Sequence, residues 1–391
     1  MIPELREKYN AEFSPERYRR FLDDLWTINR GEVDFRVCET PLFLQESICE
    51  QLVSASKDIT VKLQSEAFKQ HCLDAVPKNL TVPNQDAHTT FLQIDFALCQ
   101  DASGDFYPQL IELQGFPSVY GFQAHLDEKI KAHFDLARGL GAYFSDHNRD
   151  SYLDLLRQAV IGESDPERTI LLEIRPESQK TRIDFACTEH YFGIKPVCLS
   201  KIIKRGQRLF YKKENQEIPI ERVYNRVISD ELQGADISYN FSFQDDLDVK
   251  WVGHPHWFYK ISKHSLPFFD EVYAPKSYFL SELDHYPDDL ENYVLKPLYS
   301  FAGSGVKIDA TAEKLDSVSD RDNYILQEKI AYDPLILTPD DPAKVEVRMM
   351  FIWIDEPILV NNLVRVGKGK MMGVNFNKDK VWVGATAGYH F

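Results

Sequence analysis

Two stretches far apart in the chain carry the residues best suited to chemistry. Residues 91–120 read FLQIDFALCQDASGDFYPQLIELQGFPSVY, with Asp95 between Ile94 and Phe96 and Glu112 between Ile111 and Leu113. A carboxylate inside an apolar run is costly to bury unless it is paired or holds a metal. Gln114 lies two residues after Glu112 and shares that face of a strand. Two carboxylates and an amide oxygen suit Mg²⁺, a hard cation that prefers oxygen. Ordinary salt bridges between strands are the alternative. Residues 293–308 read YVLKPLYSFAGSGVKI, where Lys296 precedes Pro297 and the loop Gly303-Ser304-Gly305 follows. Glycines let backbone N–H groups approach phosphate oxygens, and a lysine adds a point charge. No Lys-Ser/Thr follows the glycines, so this is not a Walker A sequence. A plain turn with a surface lysine is the alternative reading.

Further candidates are scattered. Lys263 lies in YKISKHSLPFF, and YILQEKI at 324–330 is a strand with a polar end, Gln327, Glu328, Lys329 and then Ile330. Such an end can offer backbone groups to a purine edge or simply form a sheet border. Arg348 in VEVRMMFIW and Arg365 in NNLVRVG sit inside apolar strands. A guanidinium there needs an anion. Glu346, on the same face as Arg348, is one partner, and a phosphate is the other. Asn375 is a phosphate or metal contact or a turn residue. Arg226 in VYNRV ends a strand, where it binds a substrate carboxylate or makes a domain-interface salt bridge.

The elements that must position these groups follow from pattern. Residues 1–90 read as mostly helical, with Ser14 as a predicted N-cap ahead of PERYRRFLDDLW. FLQESICEQLVSASKDI and SEAFKQHCLDAV are further predicted helices. TFLQIDFALC and FYPQLIELQ form a predicted hairpin closed by DASGD. Residues 91–150 continue with a predicted helical stretch around EKIKAHFDLARGLGAYF, and SYLDLLRQAVI, another predicted helix, opens the next region at residue 151. Residues 151–250 contain RTILLEI, RIDFACTEHYFGI and KPVCLS, the strand-helix-strand rhythm of a parallel α/β unit. RLFYKKENQEIPI reads as a hairpin and RVYNRVI as another strand. Residues 251–391 begin with a helical and looped stretch, then turn strand-dense and antiparallel at YVLKPLY, VKIDA, YILQEKI, VEVRMMFIWI, PILVNNLVRVG and KVWVGA. The expected class is α/β with both antiparallel and parallel sheets.

Composition narrows the function. A length of 391 residues predicts two or three domains. The formal charge of −16 argues against a nucleic-acid partner, which needs a basic face. No apolar run is long enough to span a bilayer, and MIPELREKYNAEF lacks a signal-peptide core, so a cytoplasmic protein without a membrane partner is expected. The six cysteines form no CxxC pair and read as reduced thiols. His254 and His256 have no further ligand cluster beside them. An α/β transferase acting on sugar nucleotides would hold its metal on Asp-x-Asp, a spacing that Asp95 and Glu112 do not have.

Taken together, the series Lys263, Lys296, the glycine loop, the QEK stretch, Glu346 and Arg348, Arg365 and Asn375 resembles the ATP-grasp ligases. FLQIDFALCQDASGDFYPQLIELQ resembles their metal-binding end, which normally follows the arginine strands and here precedes them. The chain is similar to circularly permuted ATP-grasp proteins of the glutathione synthetase and glutathionylspermidine synthase type. The resemblance covers about 91–120 and 168–391. It implies a small Rossmann-like domain beside antiparallel nucleotide-binding lobes. It implies ATP held by Lys263, Lys296 and Gly303, Ser304 and Gly305, with the adenine facing Gln327, Glu328, Lys329 and Ile330. It further implies Mg²⁺ on Asp95, Glu112 and Gln114, and Arg348 and Arg365 stabilising the transferring phosphoryl group. The implied reaction joins a carboxylate to an amine (amino acid, peptide or polyamine) through an acyl phosphate. A homodimer is common in such ligases. The family has Asn where this chain has Gln114, and the extra methylene shifts the amide oxygen. A nucleotide-binding protein without turnover is the second reading.

Overall fold

Period-two alternation in the strand Phe91–Gln100 sorts its side chains onto two faces. Ile94, Phe96 and Leu98 enter one hydrophobic core with Val345, Val347 and Met349. The helix Glu46–Gln64 covers that core with Ile48, Leu52, Ile59 and Leu63. Gln93, Asp95, Ala97 and Cys99 occupy the opposite face, and so do Glu346 and Arg348. The computed structural model describes residues 1–28, 35–300, 303–373 and 376–391.

This central sheet has five antiparallel strands in the order Gly384–Thr386, Pro357–Gly367, Lys344–Trp353, Phe91–Gln100 and Phe106–Gln114. The predicted hairpin forms, its turn closed by the Asp101 carboxylate, which accepts from Ser103 N and Asp105 N. It carries a bulge, because Asp95 pairs with Glu112 but Phe96 pairs with Leu110. The extra residue, Ile111, packs with Ala97 and Cys99 on the Asp95 face. Bulges re-aim side chains in this way beside functional sites.

A three-stranded antiparallel sheet, Ser277–Phe279, Tyr324–Glu328 and Tyr293–Pro297, holds the Lys296 and Gln327 strands side by side. A four-stranded parallel sheet runs Lys250–Val252, Arg222–Asn225, Thr169–Glu173 and Lys195–Cys198. Its crossover helix, Arg182–Phe192, ends on Gly193 in the left-handed region at φ +73°. Gly193 donates back to the Glu189 carbonyl at 2.8 Å. The predicted outer hairpin is present as Arg208–Lys213 and Gln216–Ile220.

The helices Pro3–Glu12 and Pro15–Trp26 pack onto the core shared by Tyr120–His133 and the central sheet, through Tyr9, Phe21 and Leu25. Ser14 caps the second of them by accepting from Arg17 N. Several expected elements are shorter than predicted. The helix after the hairpin stops at His133, before Gly139 at φ +96°. Only Glu66–His71 of SEAFKQHCLDAV is helical. VKIDA contributes one bridge, Lys307 to Leu295, rather than a strand. Among the described residues no helix is long and apolar enough to cross a membrane.

Candidate functional site

Two sheets and one 3₁₀ turn deliver charged side chains to one buried cluster. Strand register places Arg348 directly opposite Asp95, and Asp95 opposite Glu112. Arg348 donates from Nε to Asp95 Oδ1 at 2.6 Å and from Nη2 to Asp95 Oδ2 at 2.7 Å. Arg365, on the next strand, also donates to Asp95 Oδ2. Its Nε lies 3.0 Å from Glu346 Oε2, and Tyr332 donates to Glu346 Oε1 at 2.6 Å. Glu346 therefore pairs with Arg365, its register partner, and not with Arg348 as the same-face argument suggested.

The lysines approach from the other side. Lys263 sits in the 3₁₀ turn Lys263–Phe268, which runs along the outer edge of the Glu112 strand. Gly115 N donates to Ile261 O at 2.8 Å and Leu110 N to Tyr273 O at 2.7 Å along that edge. Lys263 Nζ is 3.6 Å from Glu112 Oε2 and donates to Ser300 O at 2.7 Å. Lys296 Nζ donates to Gln327 Oε1 at 2.5 Å and to Ile111 O at 3.4 Å. The bulge that exposes the Ile111 carbonyl thus links the central sheet to the three-stranded one.

Four cations meet three carboxylates here, Asp95, Glu112 and Glu346, leaving positive charge in excess. The titration behaviour follows from that balance. Burial pushes the Glu112 carboxyl up, but Lys263, Arg365, Arg348 and Lys296 outweigh it and hold the group at about 2. Burial lowers the Lys296 ammonium to about 8, against the pull of Glu112. Burial raises the Glu346 carboxyl, with Arg365 opposing. Arg365 rises because Glu346 and Asp95 overcome its own burial.

The donor set for a divalent cation is smaller than expected. Both Asp95 oxygens face guanidinium groups, and Asp95 is 1 % exposed. A cation would have to displace an arginine to reach it. Gln114 donates from Nε2 to Glu112 Oε1 at 3.2 Å, while its own Oε1 is buried without a partner. Glu112 and the orphaned Gln114 oxygen fit Mg²⁺, which commonly takes one or two protein oxygens and fills the rest with water and phosphate. Among the described residues no three His, Cys, Asp or Glu side chains form a metal-binding group. His256 accepts from Val82 N at 2.7 Å and faces Gln85 Oε1 at 2.7 Å, and burial lowers it to about 4.

A cavity of about 30 Å³ lies beside Glu112, walled by Gln114, Phe116, Phe258, Leu298 and Tyr299, with Lys263 and Ser300 at its polar end. Gly303 and Gly305 adopt φ +75° and +73° in an exposed turn. A Cβ on Gly305 would lie 2.8 Å from Pro297 Cγ, so glycine is needed there on two counts. The Gln327 to Ile330 stretch is already bonded. Glu328 N donates to Lys276 O at 2.9 Å and Lys329 N to Asn292 O at 2.7 Å. The Lys329 side chain is exposed and donates to Glu291 O, while Ile330 packs on Ile111, Ala97 and Cys99. Asn375 lies outside the described residues. Its neighbour Asn377 accepts from Lys368 N at 2.8 Å and Gly369 N at 2.9 Å.

No protein-family model matches the chain, and no curated protein matches it. Among solved structures it is similar to a glutathione synthetase-like effector from Globodera pallida in its apo form. The two share 12 % identity over 96 % of each chain, with a TM-score of 0.59. The chain has a glutathione synthetase-like fold. At that identity the likeness is one of fold. Within the glutathione synthetase-like fold, Arg226 is 3 % exposed. It donates to Pro117 O, lies 3.8 Å from Asp184, and rests on the rings of Phe116 and Phe185. Its ion-pair partner Asp184 belongs to the same 151–250 region, and the Pro117 carbonyl is its hydrogen-bond contact outside that region.

Sequence reasoning missed Gln93, Tyr332, Phe116 and Ser300. Gln93 was legible in principle, since it shares the Asp95 face two residues upstream in an otherwise apolar strand. The other three lie in loops, where no period marks which way a side chain points.

Proposed function

We propose that the chain is an ATP- and Mg²⁺-dependent carboxylate–amine ligase on a circularly permuted ATP-grasp core. The observation that carries the proposal is the convergence of Lys263, Lys296, Arg348 and Arg365 with Glu112 and Gln114 on one buried cluster. The permutation reading rests on the order of that sheet, where the Asp95–Glu112 hairpin borders the Arg348 strand.

On this reading Lys263 and Lys296 neutralise the nucleotide phosphates, and the turn at Gly303 to Gly305 contributes backbone N–H groups. Bound Mg²⁺ would be held by Glu112 and the Gln114 amide oxygen, and it supplies neutralisation of phosphate charge. Arg365, the more exposed of the two arginines, meets the transferring phosphoryl group. Arg348 is held from behind by Asp95 and orients it. A substrate carboxylate oxygen attacks the γ-phosphorus and ADP leaves. An amine then attacks the acyl carbon, phosphate leaves, and the amine proton passes to solvent or base. The chain's own part is positioning and electrostatics, as phosphoryl transfer requires. Ile330, Ile111 and Ala97 form an apolar wall suited to a purine face. The cavity beside Glu112 is too small for a nucleotide, so on this reading its walls move apart on binding. The substrates are proposed to be small carboxylates and amines, such as amino acids, peptides or polyamines.

Phosphate release from ATP, assayed with a panel of amino acids, dipeptides and polyamines, tests the reading. Amine-dependent ADP formation is the expected result, and its absence across the panel would overturn the ligase. One observation favours a second reading, a nucleotide-binding protein without turnover. Asp95 and Glu346 already occupy both guanidinium groups proposed for phosphoryl stabilisation. That reading expects tight Mg-ATP binding and no turnover.

A further inference from the structure

Gln93 is fully buried, at 0 % exposure, on the face of the central sheet that carries Asp95 and Arg348. Its Oε1 accepts from Arg348 Nη1 at 3.0 Å, and its Nε2 donates to the Ser118 carbonyl at 2.7 Å. The partners fix the amide orientation, because a guanidinium only donates and a carbonyl only accepts. One side chain therefore joins the charged cluster to the turn that follows Gln114.

That turn is held from every side. Gly115 O accepts from Thr89 Oγ1 at 3.3 Å, and a Cβ on Gly115 would lie 2.6 Å from the Trp257 carbonyl oxygen. Pro117 O accepts from Arg226. Val119 follows at φ +58°, an unfavourable conformation for a β-branched residue. Asp184 then accepts from Phe122 N at 2.9 Å. A strained turn persists only when its surroundings over-determine it. Of the contacts that restrain this one, the Gln93 bond is the one that reaches Arg348.

We propose that Gln93 is a positioning residue that couples the orientation of Arg348 to the 115–118 turn. The turn carries Phe116, a wall of the cavity beside Glu112. A rotation of Arg348 toward an anion would pull on Gln93 and release or tighten the Ser118 carbonyl. The coupling stands on geometry alone, whereas its use during phosphoryl transfer rests on the ligase reading.

Hydrogen exchange of the 113–122 peptide, with the helix Glu46–Gln64 as internal reference, reads the coupling without a ligand. Gln93→Met removes both bonds at similar volume. Gln93→Glu keeps the bond to Arg348 but sets an oxygen against the Ser118 carbonyl. Arg348→Lys keeps the charge and loses the reach to Gln93. Each single variant is expected to speed exchange in the turn by about tenfold, and each double variant to go no faster than its faster parent. An unchanged turn in Arg348→Lys, or multiplied effects in both doubles, would overturn the proposal. Addition of Mg²⁺ with a non-hydrolysable ATP analogue separates the two ideas. Slowed exchange in the wild-type turn that Gln93→Met abolishes supports both. No response to nucleotide alongside an intact mutant cycle would remove the ligase reading and leave the coupling.

Discussion

Arg348 and Asp95 are 253 positions apart in the chain yet face each other across adjacent strands, joined by hydrogen bonds of 2.6 and 2.7 Å. The pair is deeply buried and bidentate, the geometry in which a guanidinium–carboxylate contact is strongest. Removing one partner strands a charge in the interior. Asp95→Ala is expected to lower stability by about 3–5 kcal/mol in a denaturant titration. Asp95→Asn, which retains an acceptor oxygen, should lose markedly less. Equal losses would show that charge pairing is not what the site requires.

Lys296 makes nucleotide binding dependent on pH. Its ammonium sits at about 8 in the free protein, and bound phosphate would raise it. Affinity for Mg-ATP should therefore fall as pH rises above about 8, by up to about tenfold per unit. Calorimetry between pH 7 and 9.5 checks this. Lys296→Met should bind at least about tenfold more weakly at pH 7 and show a flat profile. Unchanged affinity in that variant removes Lys296 from the site.

Glu112 and Gln114 carry the proposed metal contact. Gln114→Leu should weaken Mg²⁺ affinity by about tenfold or more, while Gln114→Asn keeps an amide oxygen and should lose less. A Mn²⁺ titration followed by electron paramagnetic resonance reads it directly. Equal Mn²⁺ affinity in wild type and Gln114→Leu would rule the amide oxygen out.

Glu173, at the end of a parallel strand, is 3 % exposed, and burial raises its carboxyl to about 8. A raised acid favours the folded state fully below its unfolded value near 4.5, and that contribution is lost as pH climbs toward 8. Glu173→Gln keeps the oxygen that accepts from Ile174 N and has no proton to lose. Its melting temperature should exceed the wild type's by about 2–4 °C at pH 8, and by less at pH 5. A constant difference across that range would contradict the assignment.

Period and turn chemistry made much of the fold legible. Alternation marked the Asp95 and Glu112 strands, and DASGD marked their turn. Asp95, Glu112, Arg348 and Arg365 stood out because ionised groups do not sit in apolar strands without partners. What they pair with was not legible. The bulge at Ile111 and the register between strands some 250 residues apart decide whether Asp95 meets a cation or two arginines, and neither leaves a local trace. The same non-locality sent Glu346 to Arg365. Short elements also escaped, because VKIDA has strand composition but only one bridge to hold it.

The central sheet has a consequence for biosynthesis. The strand Phe91–Gln100 has nine buried residues out of ten, and one edge pairs with Lys344–Trp353. A ribosome adding roughly 5–20 residues per second makes that partner roughly 10–50 s later. Throughout that interval a long apolar edge stands open, the configuration that invites pairing with other chains. A nascent chain of this protein is thus a natural client for a chaperone that shields β-edges, and chains stalled before residue 344 are the ones that should clump.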